Sequence, residues 1–453
     1  MSSEGLLDPL FSSASVLAAV SDEAWLRAML EAEGALAQAE ADVGIVPRDA
    51  ADAISRVCAE LVLDPAQVGA ESLAVGNPAA PLVRRLTAAV PPDAAGWVHW
   101  GATSQDVVDS GLALVVRRTV DLLLADLDEA GRACALLADG HRQTVMAGRT
   151  LMQQALPTTF GLKAAGWLTA LDEAYDALSA AAAHGCAAQL GGAAGSLASL
   201  GEQGVPVLER FAARLGLAEP VLPWHTSRGR IAQLGAALAI AAGAAGKVAL
   251  DVVLLAATEV AEVTEAAAPG RGGSSTLPHK RNPVAAVRVS ACARRVAALA
   301  PALSAAMVQE HERAAGAWQA EWDTLRDTLR LTGGALTGVR DLLCGLEVHP
   351  DRMRANLDLT GGLLMTEHVM MVLAERVGRL VAHDVVEAAV RRTDGGDLRT
   401  TLLADPVIAQ HLAPAVLDAA LDPARYLGSA DRFVDRALAA HRRALTRRPA
   451  LEV

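Results

Sequence analysis

Residues Gly272–Val284 read GGSSTLPHKRNPV, and the reading of this segment decides the architecture of the chain. Pro269 precedes it, Pro283 lies near its end, and Gly270, Gly272 and Gly273 cluster at its start. Proline lacks the helical N–H and clashes with the preceding turn, while glycine loses the most backbone entropy on ordering. The segment therefore cannot continue a helix on either side. It is a connector, but one carrying the hydroxyls of Ser274 and Ser275 with Lys280 and Asn282, in a chain otherwise sparing of lysine. Such a connector is flexible enough to act as a lid.

Outward from it the pattern is helical. Leu112, Val116, Val120, Leu123 and Leu127 recur at three- and four-residue steps, with Arg117, Arg118, Asp121, Asp126 and Asp128 on the other face. That spacing predicts a long amphipathic helix from about residue 109. Similar helices are predicted at about 156–184, 227–266, 284–314 and 319–346, and five in succession make a bundle. Before it, Ser21 reads as an N-cap, with Asp22 and Glu23 suited to the positive end of a helix dipole. Shorter helices follow to residue 90, and Pro91-Pro92 breaks the chain. Beyond Pro350 the helices are again short. The expected domains are 1–108, 109–348 and 349–453.

Composition agrees. Hydrophobic residues are 52% of the chain and aromatics only 3%, so the apolar mass is mostly Ala, Leu and Val. An all-α chain is expected, since small unbranched side chains favour packed helices. The formal net charge of -12 argues against nucleic-acid binding. Five scattered cysteines without a CxxC pair suggest reduced thiols, and no zinc site or disulfide framework is expected. Residues 1–10 show no signal-peptide pattern, which points to a cytoplasmic location. Ile231–Gly246 is the most membrane-like stretch. It falls short of the ~20 residues a span needs, so it is read as a helix buried on all sides, in part by neighbouring subunits. No HxxxH or carboxylate cluster stands out, and neither metal nor cofactor is expected.

The 272–284 segment resembles the signature loop of the fumarase/aspartase superfamily, GSSxMPxKxNP, with Leu277 in place of Met. The resemblance implies that Ser274 is the catalytic acid/base, and that Lys280 and Asn282 bind a carboxylate and stabilise developing charge. VHWGATSQD, Val98–Asp106, resembles the first conserved region. It makes Thr103, Ser104 and Gln105 carboxylate ligands, and His99 either a ligand contact or a buried structural residue. Thr103 or Ser104 also suits a helix N-cap. GRTLMQQALPTTFG, Gly148–Gly161, resembles the second region and adds Gln153. The superfamily's amine- and water-eliminating members read GRTH here, where this chain has Leu151. Adenylosuccinate lyases carry a further His, at the position of Gln154, and another family His is replaced near Asn77.

Those losses suit one reaction. Expelling an amine or hydroxide needs a proton donor; a carboxylate leaves unaided, being ionised at neutral pH. PWHTSRGR, Gln309–Trp322 and Arg354–Asp384 resemble the bacterial carboxymuconate cycloisomerases. The resemblance implies reversible lactonisation of a tricarboxylate, through an aci-carboxylate intermediate that Ser274 protonates on carbon. Arg228, Arg230 and Arg313 are candidate ligands for the additional carboxylates, while His279 and His311 read as incidental. The superfamily also implies three helical domains and a homotetramer with a twenty-helix core. Each active site would then draw Thr103/Ser104, the Gln153 region and the Ser274 loop from different subunits. An adenylosuccinate- or argininosuccinate-type lyase, and a non-catalytic protein on the same scaffold, are the alternatives.

Overall fold

The computed structural model describes residues 5–266, 272, 273, 277, 279–393 and 397–448. Helix makes up 71% of the chain, which is all-α as expected. Helix α1 (Asp22–Asp42) begins at Ser21, whose side chain accepts from the Ala24 N–H at 3.1 Å. The five bundle helices are α2 (Ser104–Gly140), α3 (Phe160–Gly185), α4 (Gly229–Leu255), α5 (Val284–Ala305) and α6 (Ala317–Cys344). Each packs on its neighbours in the bundle, α2 on α3 and α6, and α4 on α3, α5 and α6. Small residues set the closest approach. A Cβ on Gly246 would lie 2.8 Å from the Ala293 Cβ, so α4 and α5 meet at a distance only glycine allows.

One continuous apolar core runs from Val16 through α1 and the bundle, and a second core holds Val369, Leu373, Leu398, Ile408 and Leu417 together. The final helix α7 (Ala430–Arg447) returns to the bundle, placing Val434 and Leu438 in the first core. His441 and Arg448 fasten it to Asp172 on α3, at 3.0 and 2.6 Å.

Two features differ from the sequence reading. Region 145–159 is an antiparallel hairpin, β1 (Val145–Thr150) with β2 (Gln153–Thr159). A second pair, β3 (Val263–Glu265) with β4 (Leu346–Val348), closes the end of the bundle. Helix α4 also ends at Leu255, short of the expected 266, while running beyond the apolar stretch Ile231–Gly246. Its 27 residues meet the length and composition of a membrane span, but half of its most apolar window is already buried inside this one chain. It is not covered all round: Gln233, Ala236, Ile240, Gly243, Lys247, Leu250 and Leu254 form an open stripe along it.

Candidate active site

Three places carry the residues singled out above. The first surrounds the N-terminus of α2. Thr103 is the N-cap in extended conformation, and its N–H donates to Asp106 Oδ2 at 3.0 Å. Asp106 also accepts from the Gly191 and Gly192 N–H groups (3.0 and 2.9 Å) and holds His225 Nε2 at 2.6 Å. One carboxylate thus fastens the helix start to two loops. Both the capping and the binding roles of Thr103 and half-buried Ser104 fit here, because uncommitted N–H groups at a helix N-terminus favour an anion.

One turn further along, Asp109 faces Arg228. The Arg228 guanidinium gives Nη1 to Asp109 at 2.7 Å, and Nε and Nη2 to Glu321 at 3.0 and 2.5 Å. All three side chains are buried, and Arg228 also lies 4.7 Å from the Trp224 ring centroid. Burial pushes the Glu321 carboxyl above the usual range, against the pull of Arg228. Arg228 is therefore a core ion pair in this chain rather than an exposed substrate ligand. Gln105 is likewise internal. Its amide donates to the His225 carbonyl at 2.9 Å and accepts from Arg313 Nη1 at 3.1 Å. The rest of Arg313 is spent on the carbonyls of Gly192 and Ala193, and Arg230 donates to the His184 carbonyl. His99 stands at the edge of the cluster, its Nδ1 at 2.6 Å from Glu33 Oε1. Burial opposes its protonation, but the charge of Glu33 and the hydrogen bond to it prevail, and the imidazole is held above its usual value.

The second place is the hairpin. Arg149 makes a two-pronged pair with buried Glu262, at 2.9 and 2.7 Å, and Asn356 donates to the same carboxylate. Gln154 turns inward and donates to the Asn356 carbonyl at 2.8 Å. Leu151 and Met152 form the tip in left-handed conformation, φ 49° and 68°, and stand 97% and 74% exposed. Gln153, also exposed, follows them in register with Thr150. Neither position of the absent histidines offers a proton-transfer group.

The third place is the base of the 272–284 connector. Gly273 bridges to Arg281, and the Asn282 backbone N–H and side-chain Nδ2 both donate to the Gly272 carbonyl, at 2.9 and 3.2 Å. Glu265 accepts from the Ala285 and Ala286 N–H groups and so caps α5. Lys280 is exposed. Ser274 and Ser275 lie outside the described residues. The hairpin and the connector meet around β3, the hairpin through Glu262 just before it and the far end of the connector through Glu265, the last residue of β3. Among the described residues, no hydrogen bond or ion pair joins either of them to the α2 cluster.

A family model described as "Lyase" matches residues 12–298, and one described as "Adenylosuccinate lyase C-terminus" matches 362–437. The chain belongs to the fumarase/aspartase superfamily of lyases. It is 47% identical to a 3-carboxy-cis,cis-muconate cycloisomerase of Bradyrhizobium diazoefficiens, over 96% of this chain and 97% of that one. It is also 47% identical to a nitrosuccinate lyase of Streptomyces davaonensis, over 98% and 97%. The crystal structure of 3-carboxy-cis,cis-muconate lactonizing enzyme from Pseudomonas putida superposes with a TM-score of 0.93 at 43% identity, covering 98% of this chain and 100% of that one.

The sequence missed Asp106, Asp109, Glu321, His225 and Glu33. His225 sits inside PWHTSRGR and Glu321 inside the Gln309–Trp322 segment, so both stretches were flagged without the residue that matters. Asp109 lies where the amphipathic pattern of α2 begins, and helical spacing alone does not tell a buried ion-pair partner from a solvated one.

Proposed function

We propose that this chain catalyses the reversible lactonisation of 3-carboxy-cis,cis-muconate to 4-carboxymuconolactone, a step of protocatechuate degradation. The observation that carries the reading is the hairpin: Leu151 is exposed and apolar at its tip, and Gln154 is bound to Asn356. A site lacking those acid/base groups suits a reaction whose leaving group is a carboxylate. Cycloisomerase relatives in several bacteria, at 43–47% identity, support the same substrate.

In this reading one substrate carboxylate oxygen adds to the conjugated diene, and the electron pair moves into the neighbouring carboxylate as an aci-carboxylate. Lys280 and Asn282 stabilise that charge. Ser274 delivers a proton to carbon, and the reverse reaction returns it. The working form is a cytoplasmic homotetramer, with domains near 1–108, 109–348 and 349–453 in each subunit. The open stripe on α4 supports the assembly. Its steps of three and four residues make a seam that a second helix covers, and its apolar members Ile240, Leu250 and Leu254 would otherwise face water. Assembly would bring the α2 cluster, hairpin and connector of different subunits together.

The test follows loss of the diene absorbance with 3-carboxy-cis,cis-muconate, with nitrosuccinate run in parallel because a nitrosuccinate lyase is equally similar. Turnover of the muconate, lost by several orders of magnitude in Ser274→Ala while binding persists, is the expected result. Turnover of nitrosuccinate alone overturns the substrate assignment, and full activity in Ser274→Ala overturns that residue's role.

A further inference from the structure

Helix α1 buries two carboxylates, Glu33 and Glu40, that the proposed reaction does not use. Glu33 is 1% exposed. One of its oxygens is bound to His99 Nδ1 at 2.6 Å, and the other has no hydrogen-bond partner. A carboxylate buried in this way needs a cation or a proton close by, and His99 is its only ion-pair partner among the described residues. His99 itself is held at φ 59°, a left-handed conformation that residues with a Cβ adopt only at a cost. Strain of this kind, retained beside a binding site, is a reason to look for a role. The opposite ring nitrogen, Nε2, makes no hydrogen bond among the described residues and is not among the buried atoms lacking partners. It therefore reaches the surface beside the α2 N-terminus.

We infer that Glu33 is a positioning residue for substrate binding: it orients His99 and keeps it protonated, so that Nε2–H is presented to a substrate carboxylate. The inference rests on the reading of His99 as a substrate contact. The proton balance is simple. With one proton more than Glu33 carboxylate and neutral imidazole, Nε2 carries a hydrogen and donates; with that proton lost, Nδ1–H stays on Glu33 and Nε2 offers only a lone pair, which repels a carboxylate. Two anions face His99, Glu33 on α1 and Asp106 on α2, and both hold the proton on the ring. Behind Glu33 lie Glu40 and Cys58, and beside Asp106 lies His225. Glu40 is pushed up to about 9 by its burial and by Glu33, so it is neutral at neutral pH and adds no competing charge. Cys58 is pushed up to about 12 by burial and by Glu33, so it too is uncharged.

The experiment measures KM and kcat of the assembled full-length enzyme between pH 6 and pH 8, on whichever of 3-carboxy-cis,cis-muconate and nitrosuccinate it turns over. The variants are Glu33→Gln, His99→Gln and the double variant. For Glu33→Gln the expected result is a KM raised about tenfold at pH 8 but close to wild type at pH 6, with kcat within threefold, because a histidine without its carboxylate loses its proton nearer its ordinary value. His99→Gln raises KM at both pH values, and the double variant matches it. If Glu33→Gln does not assemble, Glu33→Asp keeps the charge at a greater distance and shows the same pattern at smaller amplitude. A KM raised equally at pH 6 and pH 8 in Glu33→Gln, or additive effects in the double variant, overturns the inference while leaving His99 as a substrate contact. An unchanged KM in His99→Gln instead removes that contact, and the role of Glu33 with it.

Discussion

Replacing Arg228 with methionine tests whether the α2 cluster is held by its buried ions. The guanidinium bridges Asp109 and Glu321 through contacts of 2.5–3.2 Å, and neither carboxylate is exposed. At an effective dielectric of about 20, each pair is worth roughly 4 kcal/mol of Coulomb energy, most of which offsets desolvation. Methionine fills similar volume but leaves two carboxylates facing each other. Asp109 keeps three donors, from Trp318, Gln105 and Gln189, at 3.0, 3.2 and 3.4 Å. Glu321 keeps only Gln309, at 3.1 Å, and is the group left without adequate compensation. Removing one partner of a buried pair costs about 3–5 kcal/mol.

The assay is urea unfolding followed by far-UV circular dichroism at one fixed subunit concentration, because assembly couples to stability. The expected midpoint falls by roughly 1 M. The double variant Arg228→Met/Glu321→Leu removes one charge of each sign, leaves Asp109 with its three donors, and is expected to recover about half of the loss. A double variant less stable than the single would refute the electrostatic account. An unchanged midpoint with a raised KM would return Arg228 to the substrate-binding role its sequence suggested.

Two further changes probe the frame. Asp106→Asn weakens the helix cap, both loop N–H bonds and the pair with His225, and should cost about 2–3 kcal/mol in the same unfolding assay; a loss under 1 kcal/mol would mean that the loops are held elsewhere. Leu151→Asn/Met152→Gly replaces two left-handed residues with the pair that favours a two-residue hairpin turn. It should slow amide exchange at Met146 and Ala147 severalfold, and faster exchange would show that the tip is not strained.

The bundle was legible because five stretches keep a helical period for 20 residues or more, and the connector because its prolines and glycines forbid helix. The hairpin was not legible. Its turn is Leu151-Met152 rather than Asn-Gly, so the local signal for a hairpin is absent, and the hairpin is anchored by Arg149 on Glu262, 113 residues away. Helix α4 stops at Leu255, short of the predicted 266, and the chain turns into β3 at Val263; Lys247, which closes the apolar stretch, pairs with Asp251 one turn on, at 2.5 Å. The fate of Arg228 could not be read locally at all. Its partners lie 119 and 93 residues away, and an arginine near a helix start looks the same whether it meets substrate or the core.

Counting donors separates frame from binding surface. Arg228 is enclosed, Gln105 is used at both ends of its amide, and Arg313 has already given Nε, Nη1 and Nη2 to neighbouring acceptors. Charged and polar groups bound in this way hold a shape but have little left for a ligand. Among the described candidates, donors remain on Thr103 and Ser104 at the α2 N-terminus, on His99 Nε2, on Arg230 Nε and Nη2, on Gln153 at the hairpin and on Lys280 beside the connector. These donors are spread over all three places. The proposed convergence of the three places would gather these donors around a substrate with three carboxylates. Within one chain no hydrogen bond or ion pair among the described residues links the α2 cluster to the other two, and this separation, like the open stripe on α4, is in keeping with the shared-site assembly proposed above.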